Sequence, residues 1–160
     1  MIRVGYGYDV HRTAAGRRLM LGGVVIPWDR GLLGHSDADV LLHAITDAVL
    51  GALAAGDIGQ WFPPDDERYR DADSAELLRT VLRAPCCAGW RLGNVDATVV
   101  AERPRLLPYV PAMRRAIAAL FEAGEDQVSV KATTSEGLGF AGRGEGMTAA
   151  AVVLLVREGR

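Results

Sequence analysis

The three histidines of the chain lie in its first third, and carboxylates stand close to them in the sequence. Asp9 precedes His11 by two residues, Asp37 follows His35 by two, and His43 comes shortly afterwards. Histidine is the commonest metal ligand in proteins, and its unperturbed pKa lies closest to neutral pH. The grouping therefore predicts a metal site, an acid–base site, or both.

Asp9 and His11 lie at the end of a predicted strand, where the two-residue period puts both side chains on one side. With His43, on a predicted helix, they supply two nitrogens and one oxygen, the set typical of catalytic zinc with an open fourth position. Asp39 and Asp47, four residues before and after His43, could each hold its second ring nitrogen. The alternative is a histidine satisfied by a carboxylate, with Asp9 in a turn.

Two further phrases contain groups that could bind phosphate. His35 and Ser36 precede the predicted helix, whose N-terminus could seat a phosphate, although Ser36 could equally serve as the N-cap. Residues 133–136, Thr-Thr-Ser-Glu, follow a predicted strand and could bind phosphates or hydrated Mg²⁺, or form a hydroxyl-rich turn. In the glycine-dense segment that follows, Arg143 could bind an anion on a subunit axis, but pairing with Glu145 is favoured.

The periodicity of apolar residues places these groups on strands, helices and loops. The predicted elements are strands at 2–8 and 18–26, a helix at 37–55, an irregular loop at 57–72, a helix at about 74–83, a strand at 92–101, a helix at about 111–123, and strands at about 127–133 and 147–157. Interleaved strands and helices favour an α+β fold, a two-layer α/β sandwich with one mixed sheet and helices on one face.

The last predicted strand indicates self-association. Residues 149–156 are apolar at every position. A strand that is apolar on both faces must be covered on both. Because helices cover only one face of a two-layer fold, the second face needs another subunit, and the sequence predicts an oligomer.

Length and composition exclude several classes of protein. At 160 residues, with 49% hydrophobic and 24% charged residues, the chain is expected to form one soluble domain over 1–160. A net charge of −2 argues against general nucleic-acid binding. The apolar runs are shorter than the ~20 residues of a membrane helix, and the first residues lack a signal-peptide pattern, so a cytoplasmic protein without a membrane partner is expected. The adjacent Cys86 and Cys87 cannot form a disulfide framework.

Taken together, the phrases resemble the 2-C-methyl-D-erythritol 2,4-cyclodiphosphate synthase family of the non-mevalonate isoprenoid pathway. The resemblance runs from Gly5 to Val156, and it is the order and spacing of the motifs that make it specific. The motifs are Asp9-Val10-His11, His35-Ser36-Asp37-Ala38-Asp39-Val40, Leu42-His43-Ala44, Thr46-Asp47-Ala48, Gly56-Asp57-Ile58-Gly59, Phe62-Pro63, Gly93-Asn94-Val95-Asp96, Lys131-Ala132-Thr133-Thr134, and Gly139-Phe140 with Arg143-Gly144-Glu145-Gly146.

The resemblance implies a homotrimer with active sites between neighbouring subunits. The implied substrate is 4-diphosphocytidyl-2-C-methyl-D-erythritol 2-phosphate, whose 2-phosphate oxygen attacks the β-phosphorus to give a cyclic diphosphate and CMP. It also implies one Zn²⁺ held by Asp9, His11 and His43, with a β-phosphate oxygen in the fourth position. Mg²⁺ or Mn²⁺ would lie on the substrate diphosphate, and an isoprenoid phosphate is a possible ligand at the trimer axis.

The resemblance also implies roles for the other site residues. His35 and Thr134 match positions that support the transition state, and Glu136 would help to place the second divalent ion. Substrate contacts are implied for Asp9, His11, His35 and Ser36; for Asp57, Ile58, Gly59, Phe62, Pro63, Pro64, Asp65 and Asp66 around the erythritol and phosphates; for Ala101, Pro104, Arg105, Leu106 and Leu107 around the cytidine; for Thr133, Thr134, Ser135 and Glu136 at the diphosphate; and for Phe140 and Arg143 near the trimer-axis cavity.

Two other functions compete with this interpretation. One is a zinc-stabilised trimeric protein that binds a nucleotide or an isoprenoid phosphate without turnover. The other is a zinc phosphohydrolase that uses metal-bound water. The products distinguish them, because a cyclic diphosphate with CMP indicates the synthase, a linear product indicates the hydrolase, and unchanged substrate indicates the binding protein.

Overall fold

A five-stranded sheet with helices packed on one face forms the framework of the computed structural model, which describes residues 1–157. The strands are β1 (Ile2–Ala15), β2 (Leu19–Leu21), β3 (Val24–Ile26), β4 (Arg30–Leu33), β5 (Arg91–Val100), β6 (Val128–Thr133) and β7 (Gly146–Val156). The helices are α1 (Val40–Ala52), α2 (Ile58–Trp61), α3 (Ser74–Leu82), α4 (Val110–Leu120) and α5 (Gly139–Gly142).

The sheet is mixed, in the order β4-β1-β7-β5-β6. Among the strands of residues 1–157, only β5 and β6 run parallel, and the connection between them contains α4, since parallel neighbours need a crossover. The other neighbours are antiparallel, and β2 and β3 form a separate hairpin. The expected mixed α+β architecture is confirmed.

The boundaries of the first two predicted strands are wrong. The first strand does not end at residue 8 but continues to Ala15, because residues 2–12 pair with β7 and residues 12–15 pair with β4. The segment 18–26 is not one strand, since Gly22 and Gly23 take positive φ angles and turn it into the β2–β3 hairpin. The loop at 57–72 contains the short helix α2 and one 3₁₀ turn.

Helix α1 begins at Val40 rather than at residue 37, and Asp39 is its N-cap. The Asp39 Oδ1 atom accepts the Leu42 N–H at 3.0 Å and the Gly22 N–H at 2.9 Å, while Oδ2 accepts the Gly23 N–H at 2.7 Å. The Ser36 hydroxyl instead accepts the Ala38 N–H at 3.2 Å, so the expected capping role of Ser36 is wrong. Asp39 therefore joins α1 to the β2–β3 hairpin.

Helix α1 lies unusually close to β1, and two glycines make this possible. A Cβ atom at Gly5 would collide with the backbone of Ala48, and one at Gly7 would collide with the backbone of Ala44. Both glycines are on the face of β1 that α1 covers. The close approach brings the side chain of His43, on the first turns of α1, to the strand.

The opposite face of the sheet carries exposed apolar side chains. Along β1 the even-numbered residues point to this face, with Val4 62% and Tyr6 63% exposed. Their partners on β7 are Leu154 and Val152, of which Val152 is 43% exposed. The face is thus a continuous apolar patch over β1 and β7.

Within residues 1–157, every helix is too short or too polar to cross a lipid bilayer.

Candidate functional site

Asp9, His11 and His43 meet at one point between β1 and α1. The Asp9 Oδ2 atom lies 2.9 Å from His11 Nε2 and 3.0 Å from His43 Nδ1, and the two ring nitrogens are 3.1 Å apart. A zinc ion with tetrahedral bonds of ~2.0–2.1 Å keeps its ligand atoms roughly 3.3 Å apart. The three atoms therefore have nearly the spacing that one shared ion requires.

The protons of both histidines are held on the nitrogens that face away from this point. The Nδ1 atom of His11 is 2.9 Å from the carbonyl oxygen of Leu33, which can only accept, so Nδ1 carries the hydrogen in the neutral ring. The Nε2 atom of His11 then presents a lone pair to Asp9 and His43. Three electron pairs that converge without a donor call for a cation, and the residues present fit a metal ion.

The tautomer of His43 is set by a second chain of hydrogen bonds. The Ser74 hydroxyl donates its one hydrogen to the carboxylate of Asp37, so its oxygen is left to accept from His43 Nε2–H at 2.9 Å. The Oγ atom of Ser36 lies 3.1 Å from the same nitrogen. With its hydrogen on Nε2, His43 turns an unprotonated Nδ1 toward Asp9, as metal ligation requires.

The ionisation of the cluster also favours a cation at its centre. Burial acts to raise the pKa of Asp9, but the hydrogen bonds and charges of His11 and His43 outweigh it and hold that pKa well below its ordinary value. Burial acts to lower the pKa of His11, but Asp9 and the Leu33 carbonyl outweigh it and raise that pKa. Both shifts favour positive charge at the point where the three ligand atoms meet.

Neither Asp39 nor Asp47, the two carboxylates expected to bind the second ring nitrogen of His43, accepts a hydrogen bond from it. Asp39 is fully buried and caps α1, and the Asp47 Oδ1 atom accepts the Ile58 N–H at 2.7 Å. Their spacing of four residues from His43 puts them near it on the helix, but backbone N–H groups engage both of them. The hydroxyls of Ser36 and Ser74 take their place.

A cavity of about 210 Å³ opens beside the cluster. Its lining residues come from β1, α1, the loop before α1, α3 and the segment around α2. They are Asp9, His11, His35, Ser36, His43, Ile58, Gly59, Phe62, Pro64, Tyr69 and Leu77. The Nε2 atom of His35 lies 2.8 Å from the carbonyl oxygen of Asp66, so it donates there and the ring is oriented from behind. The cavity brings ionic and apolar groups together.

A second cavity, of about 540 Å³, lies at the β6 edge of the sheet, between the segment after β5 and the end of β6. It is lined by Ala101, Glu102, Arg103, Pro104, Arg105, Leu106, Leu107, Ala132, Thr133 and Thr134. Ser135 and Glu136 directly follow, and the Thr134 hydroxyl lies 3.3 Å from the Glu136 carboxylate. All the residues expected at the cytidine thus line one wall.

The two cavities share no lining residue, and they lie at different positions across the width of the sheet. Asp9 pairs with Ala149 on β7, Ala149 with Val99 on β5, and Val99 with Ala132 on β6. Three strand spacings of about 4.8 Å place the candidate metal site at Asp9 roughly 14 Å from the end of β6 in one protomer. His35 and Thr134, the two expected catalytic residues, are therefore not brought together within the chain.

Several expected substrate contacts lie outside both cavities. Asp57 caps α2 through a 2.9 Å hydrogen bond from the Gln60 N–H, and Asp66 pairs with Arg68. Arg143 pairs with Glu145, its Nε atom 2.8 Å from Oε1, as the sequence favoured. Pro63, Asp65, Ser135, Glu136 and Phe140 are likewise absent from the two linings.

Sequence reasoning missed some residues of the site. No sequence pattern links Ser74 and Asp37 to His43, because Ser74 and Asp37 are 37 residues apart and only the fold joins them. Nor does a pattern indicate Tyr69 and Leu77 in the first cavity, or Glu102 in the second. The phrase Asp73-Ser74 signalled only the start of a helix, which the structure confirms.

Comparison with known proteins gives relatives along the whole chain. The chain is 64% identical over 155 residues to the 2-C-methyl-D-erythritol 2,4-cyclodiphosphate synthase of Moorella thermoacetica, covering 97% of this chain and 95% of that protein. It superposes on the bifunctional IspDF from Campylobacter jejuni with a TM-score of 0.94 and 42% identity, over 99% of this chain but 43% of that one. The IspF–CDP complex of Plasmodium falciparum matches with a TM-score of 0.86 and 34% identity, over 99% and 97% of the two chains.

The model of the YgbB family matches residues 2–156, which contain Asp9, His11, His43 and both cavities. Agreement of the family model, of a relative with 64% identity and of solved structures over nearly the whole chain leads to one conclusion. The chain belongs to the YgbB family, as a homologue of the 2-C-methyl-D-erythritol 2,4-cyclodiphosphate synthases.

Proposed function

We propose that the chain converts 4-diphosphocytidyl-2-C-methyl-D-erythritol 2-phosphate to 2-C-methyl-D-erythritol 2,4-cyclodiphosphate and CMP. The observation that carries the proposal is the convergence of Asp9, His11 and His43 on one point at the edge of a cavity, in a chain whose curated relatives are such synthases. An oxygen of the 2-phosphate forms a bond to the β-phosphorus. The bond from that phosphorus to the oxygen it shares with the α-phosphorus breaks, and CMP leaves with that oxygen.

This reaction needs positioning and charge neutralisation more than covalent catalysis. Phosphoryl transfer proceeds through a loose transition state whose charge is spread over phosphate oxygens. Because nucleophile and electrophile belong to one molecule, a site that folds the substrate makes the attack effectively unimolecular. Ile58, Phe62 and Pro64 supply apolar walls beside the ionic groups, and they would exclude the water that otherwise competes with cyclisation.

Asp9, His11 and His43 would hold Zn²⁺, which when bound supplies a Lewis-acid charge beside the phosphates. His35, held by the Asp66 carbonyl, presents its other ring nitrogen for the substrate. Because Ser36 and Ser74 share the Nε2–H of His43, the Ser36 hydroxyl can donate its own hydrogen into the cavity that it lines. Of these residues, His35 is proposed to support the transition state.

The second cavity would take the cytidine half of the substrate. Ala101, Pro104 and Leu106 are buried and form an apolar surface, while Arg105 is exposed at its edge. Thr133 to Glu136 would meet the diphosphate, with Thr134 as the second catalytic residue and Glu136 beside Mg²⁺ or Mn²⁺. The relative from Plasmodium falciparum was solved as a CDP complex, in keeping with a cytidine diphosphate ligand.

A homotrimer would complete the site. The metal cluster and the end of β6 lie roughly 14 Å apart across three strand spacings, so one substrate molecule is better held by the metal cluster of one subunit and the cytidine wall of its neighbour. The exposed apolar patch of β1 and β7 supplies the surface for such association. We further propose that the assembled protein is cytoplasmic.

An isoprenoid phosphate at the trimer axis remains part of the proposal, with Phe140 and Arg143 as its contacts. Arg143 is exposed and paired with Glu145 at 2.8 Å, so a phosphate would have to compete with that carboxylate. An exposed ion pair contributes little to stability, so such an exchange is not costly.

Phosphorus NMR of the purified protein with the substrate and Mg²⁺ tests the function. Formation of CMP and a cyclic diphosphate supports the synthase. A linear product with CMP would indicate a phosphohydrolase, and unchanged substrate with zinc confirmed in the protein would indicate a binding protein. In parallel, His43→Ala should remove zinc and turnover while the trimer stays assembled, and full zinc occupancy in that variant would refute the ligand assignment.

A further inference from the structure

The Glu102 side chain holds the loop that follows β6. Its Oε1 atom accepts the Ser135 N–H at 2.9 Å and the Gly137 N–H at 3.3 Å. The Ser135 hydroxyl oxygen lies 3.2 Å from the same atom, but it donates its hydrogen to the Leu138 carbonyl at 2.7 Å. The two backbone N–H donors hold the pKa of Glu102 below its ordinary value, so the side chain is a carboxylate at neutral pH. Hydrogen bonds to an ionised acceptor are roughly twice as strong as neutral ones.

The backbone of this loop is shaped to bring those donors to one oxygen. Glu136 and Gly137 both take left-handed conformations, with φ of +54° and +76°. A left-handed conformation is unfavourable for a residue with a side chain, and it persists where neighbouring contacts determine it. Glu102 supplies contacts on both sides of Glu136, at residues 135 and 137.

Glu102 also lines the second cavity, on the wall formed by residues 101–107. It follows Ala101, whose N–H donates to the Thr133 carbonyl at 3.0 Å, and it precedes Pro104 and the residues proposed for the cytidine. The Glu102 side chain therefore bridges the wall formed by residues 101–107 and the loop formed by residues 133–137. A cytidine diphosphate has to contact both at once.

We propose that Glu102 is a positioning residue that fixes the distance between the cytidine wall, residues 101–107, and the diphosphate loop, residues 133–137. It thereby orients Thr134 and Glu136. The inference rests on the proposed function. Glu102 itself need not touch the substrate, because its oxygen is occupied by loop donors, and its charge next to an anionic ligand is offset by those donors. It acts through the loop.

Substitution to alanine and to glutamine separates this role from simple stability. Glu102→Ala removes the acceptor, whereas the amide oxygen of Glu102→Gln can still accept the N–H groups of residues 135 and 137. Because a misplacement of ~1 Å can cost ~100-fold in rate, we expect kcat of Glu102→Ala to fall by ~10–100-fold, with a smaller rise in KM. The Mn²⁺ concentration for half-maximal activity should also rise, and Glu102→Gln should recover most of both.

The matched control is Glu125→Gln, an exposed carboxylate at the opposite end of β6, which should leave kcat and Mn²⁺ dependence unchanged.

Amide hydrogen exchange adds a readout that does not require catalysis: exchange at Ser135 and Gly137 should accelerate in Glu102→Ala while the melting temperature stays near that of the wild type. If wild-type protein makes no cyclic product, the proposed function fails, and the exchange data still test the loop. Wild-type exchange or wild-type kcat in folded Glu102→Ala would overturn the inference.

Discussion

Replacement of Ser74 by alanine should weaken zinc binding without unfolding the protein. The Ser74 hydroxyl is the link through which Asp37 sets the tautomer of His43, with its oxygen 2.9 Å from Nε2. Without it, His43 has only the Ser36 hydroxyl, 3.1 Å away, to accept the Nε2 hydrogen. The ring becomes freer to rotate and to protonate Nδ1, the atom that faces Asp9.

The magnitude follows from the contacts that remain. Loss of a partner behind a metal-bound histidine typically costs ~10–100-fold in metal affinity, or about 1.4–2.7 kcal/mol. Because Ser36 can replace Ser74 in part, the single variant should lie near tenfold, and the double Ser36→Ala/Ser74→Ala variant near the upper limit. Asp37 is partly exposed and keeps the Ser74 N–H at 3.1 Å, so the stability loss should stay near ~1 kcal/mol, or ~2–4 °C in melting temperature.

Competition between the protein and a chromophoric zinc chelator measures the affinity directly. Thr80→Ala is a suitable control, since Thr80 lies on the same helix α3 and its exposed hydroxyl donates only to the Glu76 carbonyl among the contacts described in residues 1–157. The control should bind zinc like the wild type. Wild-type zinc affinity in folded Ser74→Ala would show that the hydroxyl chain does not orient His43, and the reasoning would be refuted.

Three other expectations follow from the same structure. Zinc affinity, measured by chelator competition between about pH 5 and 8, should fall as the pH drops below the raised pKa of His11, because a proton then occupies the nitrogen that binds the metal. Equal affinity across this range would contradict the assignment of His11 as a ligand. The folding stability of the metal-free protein should change in the opposite direction, since the raised pKa of His11 contributes stability at low pH that is lost as the pH rises through it. Tyr6→Asp, on the exposed face, should give folded monomers in sedimentation experiments, whereas a persisting trimer would exclude this face as the interface. Gly7→Ala should destabilise the protein by ~1–3 kcal/mol or more in denaturant unfolding, because the new Cβ meets the backbone of α1; an unchanged midpoint would show that α1 can move away at no cost.

Local sequence patterns predicted those strands and helices that bury one face along their whole length. In β5, Val95, Ala97 and Val99 alternate with more exposed residues and are buried, as the two-residue period predicted. The helices near residues 74–83 and 111–123 were found to within a few residues for the same reason. The periodicity of these segments reflects one buried face, so sequence alone identifies it.

The features that escaped prediction depend on contacts between distant segments. The length of β1 is set by pairing first with β7 and then with β4, which no local signal announces. Asp39 has the sequence spacing of a partner for His43, but the first N–H groups of α1 and the β2–β3 turn compete for its carboxylate. Motif order singled out Asp9, His11 and His43 as a candidate metal site, while the hydroxyls behind His43 required the fold.

Strand β1 contributes to two different surfaces through alternate residues. Asp9 and His11 point toward α1, whereas the even-numbered Val4, Tyr6 and Tyr8 form the exposed apolar patch. A deletion of one residue ahead of Asp9 that shifted the register would exchange these roles, placing apolar side chains beside His43 and carboxylate and imidazole groups on the patch. Evolution can therefore vary the chemistry of either set of positions separately, but it cannot change the spacing between them by an odd number of residues.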